Sequence, residues 1–287
     1  MTNKKLDALN KKKSWSEFLV VIGGIIGVIG ALLFVVYPVI VYGVIPLTAI
    51  LMITGLIMHE QVKQTFRETF VKGYFNTLAH VDYFPKKGFG KIQGLSKDKV
   101  YESNYMERTN IFKTFDYLKG EIDGIAFESS DVLLQNQVNT GKSSHVVTIF
   151  HGRMFVFDFK KPIENEVLVL EKYKPRNKAR GYDKIKTESV NFNQLFNIYA
   201  EDPHTAFYLL TPHFMEQLKT LEKNHPGNIG MSFQENKLYL SIHNGQSTFE
   251  LKWFRPIDES VMNALEKDFN IIEQMIHTLK LSNHVYE

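Results

Sequence analysis

The chain has 287 residues, 34 basic against 31 acidic, and no cysteine. The net charge of +3 sits entirely in residues 1–59, which hold five lysines and two acids, while the remainder is balanced. That rules out a nucleic-acid footprint in the larger part, and the missing cysteines exclude disulfides, thiol nucleophiles and thiolate metal sites.

Phe18 to Met58 runs without one Asp, Glu, Lys or Arg. About 20 apolar residues span a bilayer as a helix, so this run holds two spans back to back. A signal peptide has a shorter apolar core and a small-residue cleavage site, and a soluble core rarely needs so long an uncharged run. The break is expected near Tyr37-Pro38 or within Tyr42 to Pro46, because proline and glycine interrupt helices. The spans are then roughly Trp15–Tyr37 and Val41–Met58. Gly23 and Gly27 form a small-xxx-small pair, read as packing against the second span rather than as a dimer seam. Lys4, Lys5, Lys11, Lys12 and Lys13 precede the first span; Lys63, Arg67 and Lys72 follow the second. The positive-inside rule places both termini in the cytoplasm, with a tight turn outside.

Residues 1–14 are thus a basic arm, 15–59 a transmembrane hairpin, 60–80 a helical stalk and 81–287 a cytoplasmic domain. In the stalk, Val62, Phe66, Phe70, Tyr74 and Leu78 recur every four residues, a stripe expected to dock on the domain. Residues 81–94, with Pro85, Gly88, Gly90 and Gly94, are expected as a loop. Ser96 can cap a short helix. Strands are expected over Asp116–Phe127, Asp131–Gln135, His145–Phe150, Arg153–Lys160 and Glu166–Tyr173, with His151-Gly152 as a tight turn. Lys174 to Lys186 is a basic loop.

Further on, Phe196–Tyr199 suits a strand, and Thr211-Pro212 starts a helix buried on Phe214, Leu218 and Leu221 and ended by His225-Pro226-Gly227. Ile229–Phe233, Leu238–His243 and Thr248–Phe254 are expected as a meander, with Asn244-Gly245 as a hairpin turn. Asp258 can cap a last helix to about Leu281, striped by Val261, Leu265, Phe269, Ile272, Ile276 and Leu279. The fold class is α+β: a two-helix transmembrane hairpin followed by a domain of antiparallel sheet with long amphipathic helices.

The block from Phe196 to Met215 (Phe-x-Ile-Tyr-Ala-x-Asp, then Leu-Leu-Thr-Pro-x-Phe-Met) carries a resemblance. With Ser232-Phe233, Asn236-x-Leu238-Tyr239-Leu240 and Phe249-Glu250, it resembles the bacterial domain-of-unknown-function family 3137. The layout of arm, two spans and C-terminal α+β domain is similar too. The resemblance implies the bacterial cytoplasmic membrane and a possible membrane-protein partner of LemA type. It implies no activity.

Searches for chemistry end in structural readings. Gly141-Lys142-Ser143 lacks the upstream glycine of a phosphate loop, since Asn136 stands there. No Gly-x-Ser-x-Gly elbow occurs, and no two histidines have metal-ligand spacing on a helix. Asp116, Glu121, Asp123 and Glu128 read as a solvated strand face. Asp202, His204 and His213 read as a polar turn. No cofactor or metal is expected. The leading expectation is a non-enzymatic module holding a protein partner at the inner membrane face. The alternatives are an anionic-lipid sensor using Lys174, Arg176, Lys178, Arg180, Lys184 and Lys186, or an enzyme with an unrecognised site. Such cations near an anionic leaflet contribute about 1 kcal/mol each.

Overall fold

A computed structural model describes residues 3–34, 36–78, 80–85, 94–141, 143–171 and 182–284. The chain divides into two compact units, residues 1–74 with 249–264, and residues 75–248 with 265–287.

The first unit is built on α1 (Asn3–Phe34) and α2 (Val41–Phe66), joined through a 3-10 turn at Pro38–Ile40. The break falls at the first of the two expected places, where proline cannot continue the hydrogen-bond ladder. Glycines bring the helices together: a Cβ on Gly30 would lie 2.3 Å from Val44 Cγ1, and one on Gly55 would lie 2.8 Å from Ser16 O. Beyond Phe66 the helix takes a π-turn at Arg67–Val71 before α3 (Lys72–Phe75). The π-turn adds one residue to the turn. The expected stripe therefore slips after Phe70: Val71 and Phe75 are buried, whereas Tyr74 and Leu78 are only half-buried.

Burial in this pair is inverted relative to a soluble protein. Val28, Leu32 and Ile50 are 64%, 69% and 61% exposed. Lys13, Ser16, Glu17 and His59 are buried. Residues 249–264, expected to begin with a strand, lack regular structure up to Asp258 and belong with this pair.

The second unit is built on a seven-stranded sheet in the order β1-β2-β3-β4-β6-β5, with β7 also pairing β4. The strands are β1 (Val81–Phe84), β2 (Ile111–Ile122), β3 (Ile125–Asn139), β4 (Ser144–Glu171), β5 (Asp183–Ile185), β6 (Phe196–Ala200) and β7 (Asn228–His243). Its helices are α4 (Lys97–Tyr101), α5 (Val190–Leu195), α6 (Pro203–Leu209), α7 (Pro212–Asn224) and α8 (Glu259–His284), of which α8 enters the unit at Leu265. Among the described residues the strand pairings are all antiparallel. The fold is α+β, as expected.

Several boundaries differ from the sequence reading. Val81–Phe84 is a strand rather than loop, paired to β2. The β2–β3 turn is at Asp123-Gly124, both at positive φ (55° and 76°), the two-residue hairpin that Asp-Gly favours. β4 runs unbroken through His151-Gly152 and through two of the expected strands beyond, and pairs β3, β7 and β6 along its length. Gly152 serves close approach instead of a turn, because a Cβ there would lie 2.0 Å from Ile242 O. Gly152→Ala is therefore expected to cost about 3 kcal/mol or more, the upper end of overpacking penalties, and to lower the thermal unfolding midpoint.

The caps follow the sequence. Ser96 and Thr211 each accept from the N–H three residues on, at 3.2 Å in both. Phe214, Leu218 and Leu221 bury α7. In α8, Phe269, Ile272 and Ile276 are buried as expected, with Ile271 and Met275 beside them.

The central stretch of β4, Arg153 to Phe157, is buried on both faces. Met154 and Val156 join a core with Leu95, Val100, Tyr101, Val132 and Tyr239. On the opposite face of β4 stand Phe155, Phe157 and, unexpectedly for a core, Arg153.

Candidate functional site: a buried arginine and the cleft above it

Arg153 is 4% exposed, and an unpaired charge so placed would be costly. The register supplies its partners. Asp131 on β3 lies directly across from Arg153, and Ser129 across from Phe155. Arg153 Nη1 donates to Asp131 Oδ1 at 3.1 Å, and Nε and Nη2 donate to Ser129 Oγ at 3.3 and 3.0 Å. Nη2 also donates to the carbonyl of Asp116 at 3.1 Å.

Asp116 reaches this interior through a bulge in β2. The register slips between Phe115 and Leu118, and Asp116 takes φ 54°, a left-handed conformation that Asp tolerates. Instead of lying on a solvated strand face it is fully buried, with Tyr83 Oη donating to Oδ1 at 2.8 Å. Asp131 is further bound by Thr248, whose N–H donates to Oδ2 at 2.9 Å and whose hydroxyl donates to Oδ1 at 2.8 Å. Burial pushes the Asp131 carboxyl up to about 7, and the Asp116 charge adds to this, while Arg153 and Thr248 hold it down.

Over this centre opens a cleft of about 630 Å³. Its wall includes the end of α7, the end of β7 with the turn after it, and one side of α8. His225 contributes from the turn just after α7, Lys267 from α8, and His243 from β7. His243 is fixed: its Nδ1 accepts from the His151 N–H at 2.9 Å, which leaves the ring proton on Nε2. The carbonyl of His151 accepts from Gly245 N–H at 2.9 Å, so the strand edge is closed there. Burial and the Lys267 charge hold the His225 imidazole down at about 4. Burial, then His151, lowers His243.

A second cleft of about 660 Å³ is lined by Lys99, Lys119 and Lys237 together with Asp82, Glu121, Glu128 and Asp158. Its charges are mixed, and Lys99 pairs with Glu128 at 2.6 Å.

Of the basic loop singled out in the sequence, Lys174, Arg176, Lys178 and Arg180 lie outside the described residues. Lys184 and Lys186 are described and exposed. Their stretch is pinned: β5 pairs β6, and Tyr182 Oη donates to Glu166. Glu166, 7% exposed, also accepts from Asn104 at 2.8 Å and Ser232 at 2.9 Å. Asp202 is the cap of α6, accepting from Thr205 N–H and hydroxyl, both at 2.9 Å, which hold its carboxyl below the usual range. His204 and His213 are exposed. Among the described residues no group of three His, Asp or Glu side chains is placed to hold a metal.

A second buried polar cluster lies in the first unit. Lys13 Nζ donates to Glu17, and the same carboxylate accepts from Phe254 N–H at 2.9 Å. Ser16 Oγ and His59 Nδ1 are 3.3 Å apart, and the Trp253 ring stacks on His59 at 3.9 Å between centroids. Asn10 makes a reciprocal pair with the backbone of Ile257, at 2.7 and 2.8 Å. These contacts fasten residues 253–257 to the helix pair.

Together these features define a class: a pair of apolar helices long enough to cross a membrane, with an α+β domain of antiparallel sheet. Residues 148–281 match the model of the family described as "Protein of unknown function (DUF3137)". This bears out the resemblance read from the Phe196–Met215 block. No curated protein matches the chain. Among solved structures, the mycobacterial trehalose monomycolate transport factor A, TtfA, is similar with a TM-score of 0.34 and 10% identity. That likeness covers 56% of this chain and 74% of the other, and is too slight for any functional reading.

Proposed function

We propose that the chain is a membrane-anchored interaction module that holds a protein partner at the inner face of the bacterial cytoplasmic membrane. The observation that supports it best is the inverted burial of the helix pair. Val28, Leu32 and Ile50 face outward while Lys13, Ser16, Glu17 and His59 are turned inward. Exposed apolar surface of that extent is unfavourable in water by about 25 cal/mol per Å² and is at ease in lipid. The lysines of the arm, with Lys63, Arg67 and Lys72 at the far end of the pair, support a cytoplasmic side for both termini under the positive-inside rule.

The partner proposed first is a LemA-type membrane protein, which the family resemblance implies. Crosslinking the full chain in native membranes and identifying what is covalently captured tests this. A LemA-type protein recovered in fixed ratio to the chain is the expected result. Capture of no protein in fixed ratio would refute the module reading. The lipid-sensing reading keeps one supporting observation, the exposed Lys184 and Lys186 at the pinned end of the basic stretch.

A further inference from the structure

The cleft above Arg153 combines three properties that do not depend on how the membrane reading fares. Its volume, about 630 Å³, falls in the range of pockets for small organic molecules, roughly 300–1,000 Å³. Its described wall holds basic and neutral polar groups and no carboxylate. Its lining also includes the apolar side chains of Phe155, Ile242 and Ile271.

We propose that this cleft binds a small organic anion. Its phosphate or carboxylate group meets Lys267 and the His225 and His243 rings, and its apolar body lies on Phe155, Ile242 and Ile271. The two acids that surround Arg153 do not oppose this. Asp131 is engaged by Arg153 and by both donors of Thr248. Asp116 takes the Tyr83 hydroxyl. Arg153, itself part of the cleft's lining, is held rigidly by Ser129, Asp131 and the Asp116 carbonyl, a fixed positive group that needs no reordering when an anion enters. Lys267 is exposed and already depresses His225 by its charge. An anion seated between them neutralises that charge and favours the imidazolium, so His225 should titrate higher in the complex. His243 presents Nε2–H as donor, because its Nδ1 is committed to the His151 backbone. Gly227 at φ 149° lets the turn after α7 pass within 2.8 Å of His243 O, measured from where its Cβ would be, and so draws the His225 side of the wall toward β7.

The test uses the full chain in nanodiscs of zwitterionic phosphatidylcholine, so that no anionic lipid competes. Phenyl phosphate and benzoate are the probes, and inorganic phosphate and benzyl alcohol the controls. Calorimetry reads affinity, and the His225 ring resonances read its titration. At least one probe is expected to bind more tightly than either control and to move the His225 titration upward. Lys267→Gln should weaken that binding about tenfold, and Lys267→Arg should keep it. Because Lys267 is exposed, neither substitution threatens folding, which the unchanged unfolding midpoint would verify. Equal binding of benzyl alcohol would show that charge is not recognised. Equal binding of inorganic phosphate would show that the apolar wall is not used. Either result, no binding at all, or binding indifferent to Lys267→Gln, overturns the proposal.

Discussion

Arg153→Ala is expected to destabilise the C-terminal domain by about 3–5 kcal/mol, the usual consequence of removing one partner from a buried ion pair. The substitution strips Asp131 of its cation and leaves Ser129 and the Asp116 carbonyl without their donor, all at positions with no exposure. The loss should depend on pH with a definite sign. Burial pushes the Asp131 carboxyl up to about 7 in the folded chain, against 3.8 for an ordinary aspartate. A raised acid favours folding while it is protonated, and that contribution disappears as pH rises through the folded value. Near pH 5 Asp131 is mostly protonated and Arg153 has little charge to satisfy, so the variant should lie closer to the parent there than near pH 8. Asp131→Asn should flatten the parent's profile over the same window. Calorimetric unfolding of the full chain in detergent measures both. A gap between Arg153→Ala and the parent that is the same at both pH values would mean that the Arg153–Asp131 pair is not what couples stability to pH.

Glu17→Ala should be equally damaging in the other unit. Lys13 is 2% exposed and Glu17 8%, and Glu17 is the acceptor for both Lys13 Nζ and Phe254 N–H. Truncation strands a buried ammonium and an amide together, again about 3–5 kcal/mol. The damage should appear locally, as loosening of residues 249–257, because that stretch would then rest on the Asn10–Ile257 pair, the Trp253–His59 stack and the Lys63–Glu250 pair. Tryptic cleavage after the exposed Lys252 reports it and should accelerate severalfold. Replacing both charges, Lys13→Met with Glu17→Met, should recover much of the protection, since a buried pair exchanged for apolar groups is often near neutral. Unchanged cleavage in Glu17→Ala would contradict the fastening described here.

The parts of the fold set by near neighbours were legible in the sequence. The uncharged run and Pro38 announced two helices and their break, and Ser96, Thr211 and Asp258 announced helix starts, because a cap acts within three residues of itself. Pairing over long separations left no such mark. Asp131 meets Arg153 across 22 residues and Glu17 meets Phe254 across 237. Nothing near Arg153 in the chain distinguishes it from a solvated strand residue. The bulge that turns Asp116 inward defeats simple alternation, and the π-turn at Arg67–Val71 defeats simple helical spacing in the same way. At His151-Gly152 a glycine beside a polar residue imitates a turn, while its reason is the carbonyl of Ile242 pressed against it. Thr248–Phe254 alternates like a strand but finds no neighbouring strand. The cleft was the least visible feature, because His225, His243 and Lys267 come from separate elements and share no motif.

The proposed anchored module has its domain on the cytoplasmic side, a topology that can be probed. The natural absence of cysteine makes it directly measurable, since each introduced thiol is alone in the chain. Lys5→Cys, Val39→Cys and Lys223→Cys place one probe on the arm, one in the turn between the helices and one on α7, all at exposed positions. In intact bacterial cells a membrane-impermeant maleimide should label the Val39 variant, and should label the other two only after permeabilisation. Labelling of Lys223→Cys in intact cells would place the domain outside and contradict the account.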